Sequence, residues 1–141
     1  MKYKDLSGKI NDSIKYNKIL DLIEDRCNYI EIVLISNRKN NELAELFKKD
    51  IILKENVSKW WGTESTGKHI LYRIKSSKEL FAKLRQYETL CKYYESDNGD
   101  YSKTTSFGQD DIAFFDDKEE PLLFTTTHEG YIYLREDIKS N

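Results

Sequence analysis

Apolar and polar positions alternate along this chain in two distinct rhythms. From Ser13, Tyr16, Ile19, Leu20, Ile23 and Cys27 recur at helical spacing, one face of an amphipathic helix. Tyr29-Ile30-Glu31-Ile32-Val33-Leu34-Ile35 follows, β-branched and nearly all apolar, which predicts a strand covered on both faces and central in a sheet. Ser36 to Asn41 reads as a polar turn, and Glu42 to Lys49 as a short helix with Leu43, Leu46 and Phe47 inward. Ile51-Ile52-Leu53 is a candidate short strand. Trp60-Trp61-Gly62-Thr63 opens a small polar loop, and His69 to Lys75 alternates as a strand with Ile70, Tyr72 and Ile74 on one face.

Ser76-Ser77-Lys78-Glu79 has the spacing of a capping box, with Ser76 at the N-cap and Glu79 at N3. A long helix is predicted behind it, because Leu80, Leu84, Tyr87, Cys91 and Tyr94 recur three and four apart. Ser96 to Gln109 reads as a loop. The end of the chain is β in character: Ile112 to Phe115, Leu122 to Thr127 and Tyr131 to Arg135, joined by a charged turn at Asp116–Pro121 and a tight one at His128-Glu129-Gly130. The fold class is therefore α+β: a single mixed or antiparallel sheet, three helices and a C-terminal three-stranded meander. The 141 residues read as a single domain, with a polar opening, residues 1–12, expected to fray.

Composition narrows the function. Aromatic residues make up 13% of the chain, which argues against disorder. No run approaches the roughly 18 apolar residues of a membrane span, and the first residues have no apolar core of a secretory signal. A cytoplasmic protein without a membrane partner is the expectation. Cys27 and Cys91 lack metal-ligand and redox spacing, so they are expected as buried thiols.

Charge is unevenly placed. The net charge is -2, yet residues 95–137 hold 12 acidic and three basic residues. Such a segment repels phosphate backbones, so no nucleic-acid partner is expected, and it attracts basic proteins. A solvated face is the commoner explanation of such a run. The sharper reading makes Asp110, Asp111, Asp116, Asp117, Glu119 and Glu120 a docking surface, with Trp60 or Trp61 as an apolar anchor.

Three motifs invite enzymatic readings. Gly62-Thr63-Glu64-Ser65-Thr66-Gly67-Lys68 has the glycine and lysine spacing of a phosphate-binding loop. The next residue is His69, not Ser or Thr, and the flanking pattern is neither buried strand nor helix, so a glycine-containing loop is the better reading. His128 beside Glu129, with Asp111 to help, makes an alternative hydrolase or metal-enzyme site, but no second His stands at ligand spacing. A turn-bonding His128 is the favoured reading, and no metal or cofactor is expected. The third motif, the paired carboxylates Asp110-Asp111 and Asp116-Asp117, could bind a cation, although exposed strand-end acids are commoner. A structural or homodimeric module packed through the tryptophans is a further alternative to a binding protein, for which a monomer or weak homodimer is expected.

Two pieces of the chain carry a family likeness. Trp61-Gly62-Thr63 precedes the strand Ile70-Leu71-Tyr72-Arg73. Asp111-Ile112-Ala113-Phe114-Phe115 precedes Leu123-Phe124-Thr125-Thr126-Thr127-His128-Glu129-Gly130. Over residues 60–135 this resembles small bacterial immunity proteins of polymorphic toxin systems, including contact-dependent inhibition. The resemblance implies a cytoplasmic single-domain protein that binds a cognate toxin, here expected to be basic, and blocks it. It carries no catalytic residues across.

Overall fold

The computed structural model describes residues 2–35, 38–61, 63–93, 102–103 and 105–138. Among these described residues nine strands and three α-helices follow one another. They are β1 (Tyr3–Asp5), α1 (Ser13–Ile23), β2 (Tyr29–Val33), α2 (Glu42–Leu46), β3 (Ile51–Trp60), β4 (Thr63–Lys75), α3 (Lys78–Leu84), β5 (Lys92–Tyr93), β6 (Ser102–Lys103), β7 (Asp111–Phe115), β8 (Pro121–Thr126) and β9 (Tyr131–Arg135). Seven strands form one sheet in the order β1-β9-β8-β7-β2-β4-β3, every neighbouring pair antiparallel. β5 and β6 pair separately. The fold is α+β with the C-terminal meander β7-β8-β9, as the alternation predicts. Among the described residues no helix is long and apolar enough to cross a membrane.

β2 lies inside the sheet, and all five of its residues are buried. One face of the sheet presents Ile30, Ile32, Ile74, Ile112, Phe114, Ile132 and Leu134, which form one cluster with Tyr16, Leu20 and Ile23 of α1 and Leu80, Phe81 and Leu84 of α3. Asp12 caps α1 by accepting from the Lys15 amide at 2.9 Å.

Three expectations need correction. The polar opening is not simply frayed: Tyr3–Asp5 pairs with β9 at the sheet edge. The N-cap of α3 is Ser77, not Ser76; its Oγ accepts from the Leu80 amide at 3.1 Å. The helix also stops at Leu84 instead of running on towards Tyr94, which lies outside the described residues, as do residues 96–101 and 104 of the predicted loop. Tertiary contacts outcompete the local pattern here. The Tyr16 hydroxyl donates to the Leu84 carbonyl at 2.6 Å, and the Thr89 hydroxyl donates to the Ile10 carbonyl at 2.9 Å. Tyr87, Leu90 and Cys91 are still buried, from irregular chain.

The largest departure is the β3–β4 hairpin. The sequence marks a three-residue strand, a loop and the strand His69 to Lys75; the structure has strands of ten and 13 residues, the second ending on that predicted strand. Thr63–Lys68 is extended within β4, a geometry opposite to a phosphate-binding loop that opens a helix; Gly62 lies outside the described residues. β2 pairs with β4 only from Tyr29↔Lys75 to Val33↔Leu71, so the rest of the hairpin is an arm beyond the sheet.

The arm folds back over the sheet. Trp60 stands opposite Thr63, ten residues along β4 from Arg73, which in a straight strand is roughly 33 Å away. Yet Trp60 and Arg73 both bond Glu31. Trp60 Nε1 donates to Oε1 at 3.0 Å, while Arg73 Nε and Nη2 donate to Oε2 at 2.9 and 2.8 Å. A register shift between Val57 and Lys59 supplies the bend. The arm therefore covers the second face of the sheet, where Trp60 and Phe124 pack against Tyr29, Ala113 and Phe115.

Candidate functional site

The carboxylates of the 110–120 region divide into three that are buried and bonded and three that are at least partly exposed. Asp110 precedes β7 and is fully buried. Its Oδ1 accepts from Arg38 Nε at 2.8 Å and the Ile35 amide at 3.2 Å; its Oδ2 accepts from Asn41 Nδ2 at 2.9 Å and Arg38 Nη2 at 3.1 Å. Asn41 in turn caps α2 through the Leu43 and Ala44 amides. Asp110 is thus a knot tying the β2–α2 connection to β7.

Asp116 closes the β7–β8 turn. Its Oδ1 accepts from the Lys118 and Glu120 amides at 2.9 and 3.0 Å, and its Oδ2 accepts from Arg135 Nη1 at 2.7 Å. Burial pushes this carboxyl up, but the Arg135 hydrogen bond and the two amides outweigh it and hold it below its ordinary range. Arg135 is almost wholly buried, and its Nε also donates to Asp137 at 2.8 Å. Burial alone would lower its affinity for a proton; Asp116 and Asp137 reverse that and keep it charged.

Asp111, also fully buried, meets His128. The short 3₁₀ turn Thr127–Glu129 after β8 ends on Gly130 at φ 81, a left-handed conformation that glycine adopts without Cβ strain. That turn aims His128 at Asp111. Because the carboxylate only accepts, Nδ1 donates to Oδ1, at 2.9 Å. The bond raises the imidazole's proton affinity; partial burial opposes it. Glu129 Oε1 lies 3.9 Å from Nε2. The three residues of the alternative enzyme site are therefore brought together. Among the described residues no three His, Cys, Asp or Glu side chains gather to hold a metal ion.

The docking surface expected from the charge run is corrected accordingly. Asp110, Asp111 and Asp116 are internal: a buried carboxylate without partners is costly, and each has been given donors. Asp117 and Glu119 are exposed and Glu120 is half-exposed. Among the described residues none of these three forms an ion pair.

Asp117 and Glu120 border a polar hollow of about 590 Å³ at the end of the sheet, which Asp116 and Arg135 also line. Asp25, Asp117 and Glu120 stand at its rim against Lys118 and Arg26, the last already paired with Asp137 at 3.1 Å. The balance of the unpaired rim is negative. Asp25, Arg26, Arg135 and Asp137 were not singled out in the sequence. The available signal was the scarcity of cations in the acidic segment, which makes Arg135 a candidate partner for several of its acids.

The tryptophans also separate. Trp60 is tied to Glu31, whereas Trp61 is 42% exposed and leans on Phe124 and Phe115, ring centroids 5.8 and 6.4 Å away. Of the two, Trp61 has the exposure an anchor needs. Cys27 and Cys91 are free thiols.

These features define an α+β protein with one antiparallel sheet, a folded-back hairpin arm and an acid-rimmed hollow at one end. No protein family, curated protein or solved structure matches the chain.

Proposed function

We propose that this is an immunity-type binding protein that neutralises a cognate, basic bacterial toxin domain in the cytoplasm by covering its surface. The observation that carries the reading is the polar hollow with its unpaired acidic rim. Asp25, Asp117 and Glu120 offer carboxylates without an ion pair among the described residues, and Glu119 lies on the same turn as the last two. Such a rim steers a basic partner and accepts its Lys or Arg side chains. Trp61 is an exposed aromatic anchor on the second face of the sheet. The likeness to immunity proteins over residues 60–135 points the same way.

The test is retention of the product of the adjacent reading frame on the immobilised protein across ionic strength. A basic protein held at low salt and released at high salt supports the reading; no basic protein held even at low salt ends it. Asp117→Lys/Glu119→Lys/Glu120→Lys should slow association by roughly tenfold or more at low salt, with the difference shrinking as salt rises.

The 2.9 Å His128–Asp111 bond favours a second reading, a hydrolase in which Asp111 orients His128 as a base and Glu129 assists. Thr127 is no ready nucleophile: its hydroxyl lies 2.8 Å from that of Thr125, deep in the fold. Hydrolysis of ester or phosphodiester probes that disappears in His128→Gln would support this reading over the first.

A further inference from the structure

A second concavity has the opposite chemistry. Between α1, β1 and the end of β9 lies a groove of about 260 Å³. Its rim carries Lys4, Lys9, Lys15 and Lys18, and no acidic side chain lines it. Lys15 alone has a neighbouring carboxylate, Asp12, at 4.0 Å and well exposed. Among the described residues Lys4, Lys9 and Lys18 have no ion pair.

Beneath this rim the groove is apolar. Ile10, Leu134 and Ile138 form a buried floor, and Ile19 and Leu22 of α1 form a half-exposed wall. Four lysines set around the partly exposed Ile19 and Leu22 repel one another and add little stability to the fold. The arrangement makes sense when something both anionic and apolar lies there.

We infer that this groove docks an acidic amphipathic segment of a partner protein, its aliphatic side chains entering the groove and its carboxylates meeting the lysines. The shape selects this occupant. A bilayer takes up apolar groups that protrude, and these are recessed below their charges. Nucleic acid would use the lysines but leave the hydrocarbon floor bare. The volume suits side chains, since an apolar cavity of about 150 Å³ already takes benzene. An amphipathic helix in a groove is a recurrent mode of recognition, here given polarity by the lysines. The site is independent of the acidic hollow: Leu134 and Arg135 are adjacent on β9, and their side chains leave opposite faces of the sheet.

The probe is a fluorescent helical peptide with Leu at i, i+3, i+4 and i+7 and Glu elsewhere, compared with its Lys-for-Glu twin by anisotropy. The acidic peptide should bind at least about tenfold more tightly than the twin, and its affinity should fall steeply with salt. Lys9→Glu/Lys18→Glu should weaken it at least about tenfold with an unchanged circular dichroism spectrum; if that variant unfolds, Lys4→Gln/Lys15→Gln takes its place. Equal binding of the two peptides, or no loss in the variants, overturns the inference. So does retention on phosphatidylglycerol vesicles that the acidic peptide does not compete away, which would make the occupant a membrane. Self-association in sedimentation that the variants abolish would make it a second copy, and overturns it as well.

Discussion

Trp60 and Glu31 are 29 positions apart in the chain, yet the indole Nε1 donates to the Glu31 carboxylate at 3.0 Å. This bond pins the tip of a long hairpin to the middle of the sheet it departs from. Glu31 is buried, and its other oxygen is held by Arg73, which also lies over the Tyr29 ring at 4.6 Å. Trp60→Phe keeps most of the apolar area but leaves Glu31 Oε1 without its donor. The expected loss is about 2 kcal/mol of stability in urea unfolding. Release of the arm should also shift Trp61 emission to the red as its contacts with Phe115 and Phe124 open. An unchanged spectrum would mean that the aromatic contacts alone hold the arm.

Asp110 should behave as a structural residue and not as a docking acid. Asp110→Ala strips donors Asn41 Nδ2 and the Ile35 amide of their acceptor, whereas Arg38 is half-exposed and can turn to water. A loss of about 2 kcal/mol is expected, with earlier exchange of the α2 amides, because Asn41 loses the bond that orients its cap. Asp117→Ala, at an exposed site, should leave stability within about 0.5 kcal/mol.

The Asp116–Arg135–Asp137 chain predicts acid sensitivity. Asp116 and Asp137 titrate below their ordinary value of 3.8 when folded, so their contribution is full above that value and is lost as pH falls through the lowered ones. Arg135→Met leaves Asp116 buried without its cation and should lose about 3 kcal/mol at neutral pH. The thermal midpoint of the variant should then change less than that of the wild type as pH drops below 4.

His128 predicts the opposite slope. Its folded value lies above the ordinary 6.5, chiefly through the Asp111 hydrogen bond, so protonation favours the fold. The contribution is complete below 6.5 and disappears as pH rises through the raised value. Wild-type thermal midpoints should therefore decline over that alkaline-going window, and those of His128→Gln should not.

The thiols should be inert in the native state. Burial pushes Cys27 up to about 12 despite hydrogen bonds that favour the thiolate, and burial with the nearby Asp111 charge pushes Cys91 up to about 12. Iodoacetamide at pH 8 should modify both rapidly in denaturant and neither in buffer, read by intact mass.

The chain alone determined what depends on neighbours a few residues away. The unbroken apolar run of Tyr29–Val33 announced a strand covered on both faces, and Ile112 to Arg135 announced a meander. Tyr16, Leu20 and Ile23 announced one buried face of α1. Side-chain alternation is a local property, so it can be read without knowing the fold. Only the tertiary structure decided which carboxylates face water. Asp110 finds Arg38 72 residues away, and Asp116 finds Arg135 19 residues away; a run of acids looks the same in sequence whether or not such partners arrive. The folded-back arm was hidden for the same reason, since Trp60 meets Glu31 only once β4 is in register with β2. The predicted long helix failed in the converse way. Leu80, Leu84, Tyr87 and Cys91 are buried as expected, but Tyr16 and Thr89 redirect the backbone hydrogen bonding beyond Leu84, and burial does not require a helix to deliver it.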